Sequence, residues 1–423
     1  MTRDYAVRIE GLNFGFNRTP ILKNINLSVK KGEFVGLIGP NGAGKTTLLK
    51  CINGINRGSG LIAVKDKDIR ALSDKKIAAE VALMHQNTLL TFPFPALDIV
   101  VMGRYPHQKR SRGEGREDYR IARESMEYTD TLKFAGKPIT LVSGGERQRV
   151  LFAKVLTQQT DVMLLDEPTA SLDITHQEQI FRYSRELAAA DKTVIAAVHD
   201  LKIASRYCSR LVLMQDGAII ADGKPEQVLT SENISLAYGV EALVYKNALT
   251  GLLDFYIHGC ERRESKGRVH VIGGGGSAAG IIRYLFEQDF QVSAGVFSPG
   301  DSDLACAAAF GIEHTVSKPF SDICDASFAA NIAQVSNADI TILCNMPFGK
   351  QNLRNLEAAR HAGQLIIIED DLPQTRDFTG GKAVELYSLL RQRAVVTTSA
   401  RLPAAIGQLL QAVSKGGDRV ALG

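Results

Sequence analysis

The stretch FVGLIGPNGAGKTTLLK, residues 34–50, leaves a chain few ways to fold. An apolar run suited to a buried strand leads into Gly39, Pro40, Asn41, Gly42, Ala43 and Gly44. Lys45, Thr46 and Thr47 then open a helical pattern. Gly39, Gly44, Lys45 and Thr46 fit G-x-x-x-x-G-K-[ST] in the strand–loop–helix setting that this motif requires. The glycines let backbone N–H groups curl around phosphate oxygens, and the helix N-terminus adds partial positive charge. Lys45 can reach the outer phosphates of a nucleotide, and the Thr46 hydroxyl can hold Mg²⁺.

Further along, VMLLDEP (162–168) is an apolar strand ending in Asp166 and Glu167. An acid at the carboxyl end of a buried parallel strand, beside a phosphate loop, is placed to bind Mg²⁺. The adjacent Glu167 is placed to polarise a water. In LVSGGERQRVLFAKVL (141–156), Ser143, Gly144 and Gly145 open a strong helix, a second N-terminus suited to an anion.

At this point residues 5–257 resemble the ATP-binding cassette family, the motor subunits of ABC transporters. In order come the phosphate loop 39–46, Gln86 in ALMHQ, VSGGERQR (142–149), LLDEP (164–168), SLD (171–173) and His199 in AAVHDL. Val142 stands where the family usually has Leu, a conservative departure. The resemblance implies a P-loop NTPase fold with a RecA-like α/β core, an antiparallel β subdomain and a helical subdomain. It also implies roles. Two cassettes would sandwich two ATP molecules, with Ser143 and Gly145 of one closing on the γ-phosphate held by Lys45 of the other. Glu167 would be the general base and His199 would hold the γ-phosphate and water. Gln86 would contact Mg²⁺ or water and report to the membrane partner, and Asp173 would link the two sites. Phe16 would stack under adenine; an aromatic face is all that this needs. Composite sites with one cassette per chain require a homodimer.

The stretch FPFPALDIVVMGRYPHQ (92–108) is similar to the importer branch for ferric siderophores, haem and cobalamin, and GKPEQVLTSENISLAYGVEALV (223–244) resembles its usual tail. Pro93 and Pro95 break helix and suit a contact loop, read as the surface that receives a permease helix. The partners implied are integral membrane permease subunits and, indirectly, a periplasmic or lipid-anchored substrate-binding protein, with the chain peripheral on the cytoplasmic face of the membrane. The carboxy-terminal extension resembles one found on some cobalamin-type cassettes, which favours a corrinoid over haem or a ferric siderophore.

Bulk properties agree with this reading. The 423 residues exceed one ordinary domain. A net charge of +4 is too weak to argue for nucleic acid, and no Lys/Arg block appears, since HQKRSRGEGRED is broken by acids and glycines. MTRDYAVRIEGLNF has no apolar signal region, and no run of eighteen apolar residues exists, so the chain is not expected to span a membrane. The six cysteines lack CxxC spacing and read as buried thiols in a reducing compartment.

Residues 1–35 read as short antiparallel strands. A helical insertion covers about residues 87–160, and RLVLMQDGAIIADG reads as a hairpin turning at Asp216-Gly217. The expected domains are 1–259, a charged linker at 260–268, and 269–423. The last holds six β-type runs alternating with helical runs, a second, Rossmann-like α/β domain of mostly parallel strands. There Gly273, Gly275 and Ala278 in VHVIGGGGSAAGIIRYLFEQ fit G-x-G-x-x-[GA], the setting for a dinucleotide or other phosphate ligand. The acid expected at the end of the next strand, QVSAGVF, is missing; Asp301 lies beyond it. A nucleotide, a structural turn and an apolar or corrinoid ligand all stay open. NMPFGKQNLRNLEAA (345–359) sits at another strand end and could line the same crevice. Two other readings stand beside transport: a soluble ABC ATPase of repair or translation, and a cassette fused to a nucleotide-dependent enzyme. The first needs a coiled-coil insertion or a second cassette, and neither is visible. The second needs a catalytic acid–base group that does not stand out.

Overall fold

The computed structural model describes residues 5–86, 91–108, 113–169, 172–247, 250–258 and 265–416. Two compact units result, Met1–Ile257 and His258–Gly423.

The first unit opens with β1 (Tyr5–Phe16) and β2 (Thr19–Lys30), antiparallel strands of 12 residues each. The turn residues that suggest short strands instead sit at bulges: Gly11 falls in the register shift between Ile9 and Leu12. The wholly buried β3 (Phe34–Ile38) leads through the phosphate loop into α1 (Lys45–Ile52). The chain then returns as β4 (Ser59–Val64) and β5 (Lys67–Asp68), completing a four-stranded sheet in the order β2-β1-β4-β5. After α2 (Asp74–Glu80) and β6 (Val81–Met84) comes the helical insertion: α3 (Ala96–Val101), α4 (Arg116–Tyr128) and α5 (Gly144–Thr157), which pack on one another. Its expected start, residues 87–90, lies outside the described residues.

The α/β pattern resumes with β7 (Val162–Asp166), α6 (Ile174–Ala189), β8 (Thr193–Ala197), α7 (Leu201–Tyr207), β9 (Arg210–Gln215) and β10 (Ala218–Gly223). These form a six-stranded sheet, β10-β9-β3-β8-β7-β6, parallel except for the β9–β10 hairpin. Asp216 and Gly217 turn that hairpin with φ of 47° and 81°, as a type I′ turn demands. Helices α8 (Pro225–Val228) and α9 (Ser231–Tyr238) and the paired strands β11 (Glu241–Lys246) and β12 (Leu253–His258) close the unit.

Within the GRYPH segment of the insertion, Gly103 and Arg104 turn inward while Tyr105 and His107 face out. Arg104 is only 8% exposed. Its guanidinium donates to Asp118 at 3.0 Å, to the Thr157 carbonyl at 3.1 Å and to Gln159 at 2.8 Å. A Cβ on Gly103 would stand 2.4 Å from the Lys154 carbonyl oxygen. Arg104 thus clamps the segment after α3 and the start of α4 to the C-terminal end of α5, where a cation also meets the helix dipole favourably. The surface expected for a partner is left to Phe92, Phe94 and Met102 before the segment and to Tyr105 within it, all exposed. Arg104→Ala should destabilise the first unit by about 3 kcal/mol, because it strands a partly buried carboxylate and a buried carbonyl. A denaturant midpoint within error of the parent would refute the clamp.

In the second unit β13 opens at Arg268, the last residue of the expected linker; residues 260–264 of that stretch lie outside the described residues. Strands and helices then alternate: β13 (Arg268–Ile272), α10 (Ala279–Glu287), β14 (Gln291–Phe297), α11 (Ser302–Ala309), β15 (Glu313–Val316), α12 (Asp325–Asn337), β16 (Ile340–Leu343), α13 (Leu353–Ala358), β17 (Leu365–Ile368), α14 (Lys382–Arg391), β18 (Val395–Thr397) and α15 (Leu402–Gly416). The sheet order is β15-β14-β13-β16-β17-β18, and every ladder is parallel. Counted within the unit this is 3-2-1-4-5-6, the dinucleotide-fold order. Alternation along β13 sends Val269 and Val271 into one apolar cluster and Ile272 into another.

His270 shares a face with Ile272, fully buried, and its ring nitrogens meet Ser293 Oγ at 2.9 Å and Asn331 Oδ1 at 3.0 Å. Asn331 donates on to Asn355, and Asn355 to the Val296 carbonyl. Burial pushes the imidazole down from 6.5 to about 4. Between those values the unfolded chain binds a proton that the folded chain refuses. The stability is therefore complete above the unfolded value and is lost as the pH falls toward the folded one. The expected loss is about 3 kcal/mol, at about 1.4 kcal/mol per pH unit. Urea midpoints across pH 7 to 4 check this, and His270→Gln should flatten that dependence.

Of the cysteines, Cys51, Cys208 and Cys344 are buried thiols as expected, whereas Cys324 is exposed; Cys260 lies outside the described residues.

Candidate functional site

The phosphate loop runs from the end of β3 to α1. At Gly39 φ is 138°, and a Cβ there would lie 2.1 Å from the Met214 carbonyl oxygen, so only glycine lets the loop lie this close to β9. The amides of Gly42, Gly44, Lys45, Thr46 and Thr47 find no acceptor among the described residues, which leaves a ring of donors at a helix N-terminus. Lys45 is buried and donates to the carbonyls of Gly39 at 2.7 Å and Pro40 at 2.9 Å. Burial pushes its ammonium below the usual lysine range, against the opposing pull of Glu167 and Asp166.

Asp166, the last residue of β7, accepts a hydrogen bond from Thr46 Oγ1 at 2.7 Å. Burial raises its carboxyl, while the Thr46 hydrogen bond pulls the other way. Glu167 follows with φ of 48°, a left-handed backbone that is costly for a side chain of this size. Its carboxylate is shared: Gln86 Nε2 donates to Oε2, and His199 Nε2 meets Oε1. Lys45, Thr46, Gln86, Asp166, Glu167 and His199 are thus tied together by hydrogen bonds or by charge. His85, not singled out in the sequence, belongs to the same neighbourhood. Burial lowers its imidazole, as does the charge of Lys50, against the pull of Asp166. The residue before Gln86 on the same strand end was the available signal.

Phe16, at the end of β1, is 54% exposed and touches Phe14 edge-on at 4.8 Å between centroids, so strand packing does not consume its face. Ser143 caps α5 by accepting from the Glu146 amide, and Glu146 accepts from the Ser143 amide in return. A Cβ on Gly145 would meet Leu172. Among the described residues no hydrogen bond or ion pair links Ser143 or Gly145 to the Lys45–Glu167 group. Val142 is buried in the core, so its substitution for Leu is a packing matter. Asp173 caps α6 through the His176 amide at 2.9 Å; Ser171 and Ala170 lie outside the described residues.

A loop of unpaired amides beside a buried acidic strand end is the architecture of a nucleoside triphosphatase, and the four-stranded antiparallel sheet and helical layer around it narrow this to the cassette type. Residues 22–170 match the ABC transporter family model, and residues 292–402 match the MJ0874 family. The chain is similar to the cobalamin import ATP-binding protein BtuD of Halobacterium salinarum, 38% identical over 338 residues, 78% of this chain and 84% of that one. It is also similar to the hemin import ATP-binding protein HmuV of Rhodococcus jostii, 36% identical over 247 residues, 58% of this chain and 84% of that one. Among solved structures it resembles a chain of an ABC transporter assigned to the metal-chelate type, in an inward-facing conformation. That match has 25% identity, a TM-score of 0.53, and covers 60% of this chain and 98% of the other. The chain belongs to the ABC transporter family as an ATP-binding cassette, and it is an ATPase. Among the described residues no helix is long and apolar enough to cross a membrane.

The glycine-rich turn of the second unit differs from the first loop. A Cβ on Gly273 would meet that of Ala278 at 2.4 Å, so the turn is equally tight. Its amides, however, are taken. Gly275 N donates to Asp301 Oδ2 at 2.9 Å, and Ala278 N and Ala279 N donate to Asp303 Oδ1 at 3.1 and 2.8 Å. No acid ends β14, as expected; Asp301 lies beyond the strand, where it caps α11 and reaches back to the turn.

Proposed function

We propose that this chain is the ATP-hydrolysing subunit of an importer for a metal chelate, with cobalamin or another corrinoid ahead of haem or a ferric siderophore. The observation that carries the motor assignment is the Gln86–Glu167–His199 group beside the unpaired loop amides. On this reading the amides of residues 42–47 and the Lys45 ammonium hold the ATP phosphates, and Phe16 stacks on adenine. Glu167 takes the proton of the attacking water, while His199 and Gln86 hold its carboxylate in position. Ser143 and Gly145 complete the site of a second copy, so the working form is a homodimer.

A Mg²⁺ ion would sit with Asp166, Thr46 and Gln86. A buried carboxylate bonded to a hydroxyl is the all-oxygen donor set that this cation prefers, shared with phosphate oxygens. When bound, it supplies neutralisation of phosphate charge.

The corrinoid preference rests on length. Similarity to the cobalamin relative spans 338 residues, more than the first unit holds, whereas that to the hemin relative spans 247. The chain would act peripherally, on the cytoplasmic face of the membrane, through permease subunits that receive cargo from a periplasmic or lipid-anchored binding protein, with no nucleic-acid partner. The second unit would sense a ligand and adjust ATP turnover. Uptake of labelled cobalamin and haem by vesicles carrying the chain with its permease tests the cargo. Haem uptake without cobalamin uptake would reverse the preference, and uptake of neither would return the soluble-ATPase reading.

A further inference from the structure

The turn after β13 has the shape of a phosphate cradle, yet the chain itself fills it. The Asp303 carboxylate is fully buried against the start of α10, and Asp301 covers Gly275. A pyrophosphate would have to displace two groups of its own charge sign, one of them sealed in the core. The corresponding amides of the first unit have no such occupant.

Outside this filled turn lies a cleft of about 520 Å³ at the carboxyl ends of β13 and β14 and the segment after β16. That is where the strand order reverses, and the volume suits a small ligand. Asp301 and Lys350 on its lining offset each other in charge. Each Asp301 oxygen holds one backbone amide, Gly275 N on Oδ2 and Asp303 N on Oδ1, so each keeps a lone pair for a further donor. Ser298 adds a hydroxyl. Phe378, 71% exposed, and Pro347 supply apolar faces.

We infer that this cleft binds a small phosphate-free ligand, neutral overall, which gives hydroxyl donors to Asp301 and a flat ring face to Phe378: the chemistry of a nucleoside. This names the ligand class for the sensing reading above and rests on it.

The test is equilibrium dialysis of the full-length chain carrying Lys45→Ala, which mutes the cassette, against labelled adenosine, NADH and pyrophosphate. Adenosine should bind at one site per chain, and Phe378→Ala and Asp301→Asn should each weaken it at least tenfold. Phe378 is exposed, so its variant keeps the fold if Asp301→Asn does not. Retention of NADH or pyrophosphate that Gly275→Val abolishes would overturn the inference. So would no adenosine binding, or binding indifferent to both variants. Separately, ATP turnover of the unaltered chain is followed with adenosine present. Bound adenosine with unchanged turnover would keep the ligand class and remove the sensing role.

Discussion

Replacing Glu167 with glutamine is expected to lower steady-state ATP hydrolysis by a factor of about 10²–10⁴ while ATP affinity stays within a few-fold. Glutamine keeps the length and the hydrogen-bonding capacity that Gln86 and His199 use, but it cannot take a proton. The groups proposed to hold the phosphates, Lys45 and the loop amides, are untouched by the change. The left-handed backbone at residue 167 belongs to either side chain, so the comparison isolates the carboxylate. Phosphate release gives kcat, and a fluorescent nucleotide gives Kd with little background, since the chain has no tryptophan. A variant retaining more than a tenth of the parent kcat would move the proton-accepting role to another group, His199 first.

Asp303→Ala is expected to destabilise the second unit by about 3 kcal/mol. Its carboxylate is the acceptor for Ala278 N and Ala279 N in a place without solvent, and each abandoned buried donor costs about 1–3 kcal/mol. The opposing gain, relief of a carboxyl whose charge burial disfavours, is smaller, because the helix N-terminus stabilises it. Asp303→Asn retains an oxygen at nearly the same point and should lose about 1 kcal/mol. Two compact units permit separate transitions in calorimetry, so the loss should appear in one and leave the other unmoved. An alanine variant that melts like the parent would mean that water replaces the carboxylate.

The cassette was legible because its signals are local. The strand, loop and helix of residues 34–52 are contiguous, and Asp166 announces itself by ending an apolar strand. The alternation of the second unit was equally plain, and its six strands follow from six β-type runs. What escaped were relations between distant residues. The sharing of Glu167 by Gln86 and His199 joins three segments, Gln86 lying 81 positions before Glu167. Arg104 sits in a motif read as a contact surface; its distant partners, the Thr157 carbonyl 53 residues on and Gln159 just beyond, reveal an inward clamp. The length of the β1–β2 pair was hidden by the glycines of β1, Gly11 and Gly15, which fall at bulges instead of turns.

The filled turn of the second unit bears on how such patterns are read in any chain. A run of glycines ahead of a helix prescribes a curve of backbone, and the curve alone does not choose its anion. The choice here is written 25 and 26 residues later, in an aspartate pair at the start of the following helix. A reader who stops at the glycines sees a receptor for a cofactor. One who continues to Asp301 and Asp303 sees a socket whose plug is part of the same moulding.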